Sequence, residues 1–301
     1  MSYYSSKDHW QVRALEWTLF ALAWSFRQIT WPIGTWRLTG ALAPFGGWLA
    51  LRVPGFSRRA ADNLNHVWPE LPPERHREII AGAGREMLAL MVEYSRLDKM
   101  LDEVAIEIDG ETVLRHRPAG KGAILVTAHF GNWEAARFGA RQIGHECGII
   151  YRAFNNRYLD RFTLGLIPKA GTPVLQKGTG MRQLYAHIAK GGVAMILVDQ
   201  RNSGAPFIDF LGEPAETVTA AAELSLRTGA PLIPCVAYRD RAAQRFRVHF
   251  EQPVTGVDAE EMMAEVNARI AGWIARAPEQ WFWFHRRWRR TPRSRPSADQ
   301  A

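Results

Sequence analysis

The sequence predicts an α/β fold: a mixed, largely parallel sheet flanked by helices, preceded by an N-terminal apolar helical segment that associates with membrane. Three observations carry this expectation. Beyond residue 104, short apolar runs alternate with amphipathic stretches of helical length, the rhythm of strands covered on both faces by helices. One such run, Gly122 to Val126, leads directly into Thr127-Ala128-His129, as a buried strand delivering a side chain to its carboxyl end would. The 301 residues, 47% hydrophobic and 23% charged, suffice to bury a full core and do not resemble a disordered chain.

At the N-terminus, Trp10, Trp17, Trp24 and Trp31 recur every seven residues. On a helix they follow one slowly drifting edge, with Arg13, Glu16 and Arg27 beside them and Leu15, Leu19, Leu22 and Phe26 on the far side. A helix apolar nearly all round is either buried or in lipid. Arg27 and Gln28 interrupt the run before the roughly 20 apolar residues a spanning helix needs. Pro32 ends it, and a second apolar stretch, Trp36 to Val53, follows. The pair reads as an interfacial hairpin or a marginal transmembrane anchor; two ordinary core helices are the alternative. The expected organisation is a membrane-associating segment over 1–56, an α/β domain over 57–290 and a basic flexible tail over 291–301.

Net charge is +8 and there are 12 Trp. Excess Trp with excess Arg suits lipid headgroups, although charge alone would also serve nucleic acid. The N-terminus lacks the short apolar core and cleavage site of a signal peptide. Two cysteines, Cys147 and Cys235, exclude a disulfide framework. The catalytic part is therefore expected in the cytoplasm.

Glu74 to Leu97 has core-facing helical spacing. Strands are expected at Ala105–Ile108, Gly122–Thr127, Gly148–Tyr151, Val193–Asp199, Leu232–Tyr238 and Phe246–Phe250. Helices are expected at Trp133–Ile143, Gly180–Lys190, Ala220–Arg227 and Glu260–Arg276. Because ligand sites gather at the carboxyl ends of strands in open α/β sheets, His129, Tyr151-Arg152 and Asp199-Gln200 should share one rim, and Asn132, Arg152, Asn155, Asn156, Asp199 and Gln200 are the expected substrate contacts.

His129 and Glu134 form an HxxxxE pattern. The two meet only if His129 sits in the loop and Glu134 in the first turn of the next helix, with Asn132 as N-cap. Glu134 would then orient the imidazole, making it a general base for a hydroxyl attacking an activated acyl group. A capping Asn and Glu beside a structural His is the plainer alternative. Arg152 with Asn155 and Asn156 could bind phosphate or steady an oxyanion, or form a surface turn. Asp199 could position substrate, pair with the base, or only form a turn. Phe210 to Thr217 reads as a Gly/Pro turn with Thr217 capping the next helix. No GxSxG elbow, zincin pattern or phosphate-binding glycine loop occurs, so neither covalent intermediate, metal, cofactor nor nucleotide is expected. In Trp281 to Arg290, aromatics alternate with arginines, as at a lipid surface or an acidic protein; no nucleic-acid fold signature accompanies them.

Taken together and in order, these motifs resemble the late (secondary) acyltransferases of bacterial lipid A biosynthesis, the lauroyl and myristoyl transferases. The resemblance runs from about residue 14 to residue 290. It includes Arg59, Asn63-Leu64, Trp68 to Leu71, His129 to Glu134, Tyr151-Arg152 with Asn155-Asn156, Asp199-Gln200, Phe210 to Gly212 with Thr217, and Pro278 to Trp281 leading to Arg286-Arg287-Trp288. It implies a glycerolipid acyltransferase-like fold at the cytoplasmic face of the inner membrane. It implies acyl carrier protein as thioester donor and the hydroxyl of a 3-hydroxyacyl chain on a Kdo-bearing lipid A precursor as acceptor. His129 would be the base, Glu134 its partner, Asp199 a functional residue, and Arg152 an oxyanion or headgroup contact. The chain departs from the family pattern at Arg157, where many relatives have Pro, and over Gly165 to Gly180, where Lys169 or Lys177 could replace an expected basic residue. Another lipid acceptor, such as a lysophospholipid, an aminolipid or a mannosylated phosphoinositide, is the nearest rival. A non-catalytic membrane-binding protein is the rival from another class.

Overall fold

The helical N-terminal part comes first in the computed structural model, which describes residues 10–176, 178 and 180–288. Helix α1 (Trp10–Thr30) stops just before Pro32, and α2 (Thr35–Arg52) follows. Helices α3 (Pro54–Val67) and α4 (Pro73–Ser95) both open on a proline, whose missing N–H has no intrahelical partner to lose there. Helix α2 lies against α4 so closely that a Cβ on Gly46 would stand 2.5 Å from the Gly84 carbonyl oxygen. Its Ala43, Gly46, Gly47 and Ala50 are buried while Phe45 and Trp48 face outward. Helix α1 behaves differently: Trp10, Leu15, Trp17, Leu19, Leu22, Trp24, Phe26 and Ile29 are all exposed. Among the described residues no helix is long and apolar enough to cross a membrane.

After α5 (Leu97–Glu103) the chain alternates: β1 (Ala105–Asp109), α6 (Glu111–Arg115), β2 (Ala123–Thr127), α7 (Trp133–Gln142), β3 (Cys147–Tyr151), α8 (Arg157–Leu166), β4 (Val174–Gln176), α9 (Gly180–Ala189) and β5 (Val193–Leu197). A hairpin of β6 (Phe207–Phe210) and β7 (Glu213–Glu216) precedes α10 (Ala220–Thr228), β8 (Leu232–Asp240), β9 (Arg245–Phe250) and α11 (Ala259–Arg276). The main sheet runs β1-β9-β8-β2-β5-β3-β4. Every neighbouring pair is parallel except β8 with β9. The sheet is therefore mixed and mostly parallel, flanked by helices. Successive residues of β2 serve opposite faces: Ile124 and Val126 join the core with α4, α9, α10 and α11, whereas Ala123 and Leu125 join the core with α5 and α7. Burial on both faces explains why this strand reads as one continuous apolar run.

Three expectations change. Thr217 does not cap α10; its hydroxyl donates to the Ala215 carbonyl, and Phe210 to Glu216 build a hairpin in which Leu211 and Gly212 take positive φ of 58° and 84°. Thr217 is spent on the core because Arg287 and Asn267 both donate to it, at 2.7 and 3.3 Å. The aromatic–arginine stretch is not a surface belt. Trp281, Trp283, Phe284, Arg287 and Trp288 are buried, the Trp281 and Trp283 ring centroids lying 4.7 Å apart. Arg289 and Arg290, the 291–301 tail, and Lys177 and Thr179 lie outside the described residues.

Candidate active site

Strands β2 and β5 are parallel and in register, Thr127 opposite Leu197, so the residues just beyond each emerge side by side. His129 and Asp199 are those residues. The Asp199 carboxylate grips the histidine twice: Oδ1 lies 2.7 Å from imidazole Nδ1, and Oδ2 accepts the His129 backbone N–H at 2.9 Å. The Trp281 indole N–H also donates to Oδ2, at 2.8 Å. Asp199 is 3% exposed and the His129 side chain 24%. Burial alone would push the Asp199 carboxyl up. The facing imidazole, the His129 backbone N–H and the Trp281 indole outweigh burial, and the net shift is below the ordinary carboxylate value.

The loop beyond β2 is fixed by the backbone of the segment after α11. Phe282 N–H donates to the His129 carbonyl at 3.0 Å, and Gly131 N–H to the Gln280 carbonyl at 2.8 Å. Gly131 has φ of +53°, and a Cβ there would lie 2.5 Å from the Ala237 carbonyl oxygen, so both conformation and space call for glycine. Asn132 then caps α7 by accepting the Glu134 N–H at 3.0 Å, as its sequence position suggests.

This arrangement fixes the imidazole's chemistry. With Nδ1–H donated to a buried carboxylate, the lone pair resides on Nε2. Nε2 lies 3.2 Å from the amide nitrogen of Gln200, an exposed residue. The rings of Trp133 and Phe282 border the imidazole at centroid distances of 5.2 and 6.3 Å. The site thus presents an oriented base between aromatic walls, open on its Nε2 side.

Glu134 is not the partner that the HxxxxE spacing suggests. Its carboxylate is buried, accepts the Tyr94 hydroxyl at 2.6 Å and pairs with Arg137. Tyr94, its hydroxyl donor, touches the Trp133 ring, which in turn lies edge-on to the imidazole. Once Asn132 caps the helix, the Glu134 side chain in the first turn turns back under α7, and Asp199 claims Nδ1 from the neighbouring strand.

Asn132 is fully buried, its amide nitrogen donating to Glu93 at 2.8 Å, so it supports the loop and does not meet substrate. Asn156 is likewise committed to protein, capping α8 through Tyr158 and Leu159 N–H and donating to the Glu16 carbonyl of α1 at 2.8 Å. Arg152 and Asn155 are exposed in the loop after β3 at the same rim. Trp281, missing from the expected site, had a sequence cue in its place within Pro278 to Trp281. Tyr94 and Arg137 had none, because partners from separate elements leave no local spacing. Both cysteines are buried, and burial pushes the Cys147 thiol up to about 12 and raises Cys235 as well, which keeps them poor nucleophiles.

A family model described as bacterial lipid A biosynthesis acyltransferase matches residues 9–290. The chain is 26% identical over 299 residues to the lipid A biosynthesis lauroyltransferase of Escherichia coli K12, covering 94% of each chain. It is 24% identical over 299 residues to the palmitoleoyltransferase of the same organism, covering 92% of each. It is 25% identical over 203 residues to the phosphatidylinositol mannoside acyltransferase of Mycolicibacterium smegmatis, covering 65% of each.

Proposed function

The chain belongs to the bacterial lipid A biosynthesis acyltransferase family, and from that premise we propose that it moves a fatty acyl chain from an acyl carrier protein thioester to a hydroxyl on a lipid A precursor. The acceptor is the hydroxyl of a 3-hydroxyacyl chain on a Kdo-bearing precursor. The reaction takes place at the cytoplasmic face of the inner membrane, where α1 meets lipid.

His129 Nε2 takes the proton of the acceptor hydroxyl, which displaces the Gln200 amide from that nitrogen. The freed oxygen attacks the thioester carbonyl carbon, and the resulting tetrahedral intermediate collapses by breaking the C–S bond. The imidazolium returns its proton to the departing thiolate. Asp199 stabilises the transient imidazolium and holds the ring with Nδ1 protonated. No acyl–enzyme forms. The observation that best supports this reading is the 2.7 Å contact between His129 Nδ1 and a buried Asp199 carboxylate at the ends of two adjacent parallel strands. The net charge of +8 suits both an acidic carrier protein and a phosphorylated glycolipid.

A second reading keeps the chemistry and changes the acceptor to a mannosylated phosphoinositide, as the name of the mycolicibacterial relative suggests. Incubating the purified enzyme with acyl carrier thioester and each acceptor in turn separates them. Mass spectrometry should find the Kdo-bearing precursor one acyl chain heavier. Product from the phosphoinositide mannoside or a lysophospholipid alone would overturn the lipid A assignment while leaving the mechanism standing.

A further inference from the structure

Helix α1 is inside-out relative to an ordinary surface helix. It carries three ionisable residues, Arg13, Glu16 and Arg27. Glu16 is buried against the body, Arg27 is half-buried, Arg13 in the first turn is exposed, and the exposed circumference is dominated by Trp10, Leu15, Trp17, Leu19, Leu22, Trp24, Phe26 and Ile29. A helix bathed in water places its charges outward; one set in lipid turns them toward protein.

Two polar anchors hold its inward stripe. Near the C-terminal end, Arg27 donates to the Ser95 carbonyl at 2.8 Å, pairs with Asp98 at 3.2 Å, and lies 4.1 Å over the Trp31 ring. Near the N-terminal end, Glu16 pairs with Arg157 at 3.0 Å, and its carbonyl accepts from Asn156. Phe20 packs beside this pair on Tyr158 and Phe162 of α8.

We propose that the Glu16–Arg157 ion pair is a positioning latch that ties the lipid-facing helix α1 to the rim helix α8 and so sets the catalytic rim against the membrane. Arg157 opens α8 at the carboxyl end of β3, the strand beside β5, which carries Asp199. The loop between β3 and α8 transmits a shift of α8 to the rim, because Asp160 accepts both the Phe154 N–H, at 2.8 Å, and the Tyr151 hydroxyl. The inference rests on the membrane-facing acyl-transfer reading above.

The test is charge reversal in the full-length protein on phosphatidylethanolamine–phosphatidylglycerol vesicles, comparing wild type, Glu16→Gln, Glu16→Arg, and Glu16→Arg with Arg157→Glu. Spin labels at Leu19→Cys and Leu164→Cys, both exposed, report the α1–α8 distance without reference to activity. Wild type should give a narrow distance distribution. Glu16→Arg should broaden it, leave vesicle binding intact, and raise KM for vesicle-borne acceptor about ten- to a hundredfold with kcat little changed. The isosteric Glu16→Gln should lie between, and the double reversal should restore both readouts. Unchanged distance in Glu16→Arg, no recovery in the double reversal, or loss of vesicle binding in Glu16→Gln would each overturn the latch. If wild type acylates none of the acceptors, the functional reading fails, and the distance measurements still decide the latch.

Discussion

Asp199 uses its two oxygens for different tasks. Oδ1 meets the ring nitrogen of His129, while Oδ2 holds the histidine backbone and is itself held by Trp281. The carboxylate therefore fixes where the imidazole stands as well as which nitrogen carries its proton. Removing the indole donor should loosen that hold without abolishing it. Trp281→Phe keeps the aromatic packing but deletes a hydrogen bond to a charged group, a loss of about 1.5–3 kcal/mol. Acyl-transfer kcat/KM should fall about ten- to a hundredfold, a steady-state measurement, with the fold retained. At this scale the sequence was half legible. His129 and Asp199 each announced themselves at the end of an apolar strand, and the rule that ligands gather at carboxyl ends placed them on one rim. Their pairing was one of several roles open to Asp199, and the sequence favoured Glu134 as the partner because 70 residues separate His129 from Asp199 and Glu134 stands only five away.

Behind the loop, a buried polar lattice joins elements that never meet in sequence. Arg239 on β8 pairs with Glu86 and Glu93 on α4, and Glu93 accepts from Asn132, which caps α7. Burial would lower the Arg239 guanidinium, but the two carboxylates override it and raise it further. Arg239→Met would leave Glu93 buried with only the Asn132 amide, while Glu86 keeps Arg241 at 2.7 Å, and losing one side of such a set costs about 3–5 kcal/mol. Denaturant unfolding should show a loss of that size; a loss under about 1 kcal/mol, typical of an exposed pair, would refute the lattice as a structural element. Helices α4, α7, α9, α10 and α11 were readable from apolar periodicity. Helix α8 was not: its polar cap, Asn156, looked like a substrate contact, and part of its apolar face is matched to α1. Strand β4, three residues long, offers too short a pattern to read. The β6–β7 hairpin was mistaken for a turn because Gly212 and Pro214 sit within it.

For the whole molecule, two half-buried histidines set one measurable property. Burial first, then nearby arginines, lower His145, and burial also lowers His285 despite the pull of Asp199. His285 Nε2 accepts the Arg201 backbone N–H at 3.1 Å, which requires that nitrogen to be unprotonated. Below the ordinary histidine value of 6.5 the unfolded chain binds protons that the folded chain refuses. Stability is therefore full above that value and declines as pH falls from it toward the lower folded-state values. Urea unfolding across that range should show the slope, and His285→Asn should flatten it; an unchanged slope would contradict this origin. The layered α/β architecture was legible because both faces of its central strand are buried. The N-terminal segment was less so, since α2 joins the core through its glycines while α1 keeps its apolar side outward, and composition alone could not divide them.

The measurement that tests the central claim most directly is the rate of acyl transfer by Asp199→Asn, made on protein whose melting temperature shows an intact fold. An amide of the same shape keeps the packing but can no longer hold His129 with Nδ1 protonated or stabilise its charged form. The rate should fall about a thousandfold or more. Transfer within about threefold of wild type, well short of that loss, would contradict Asp199 as the partner of the base.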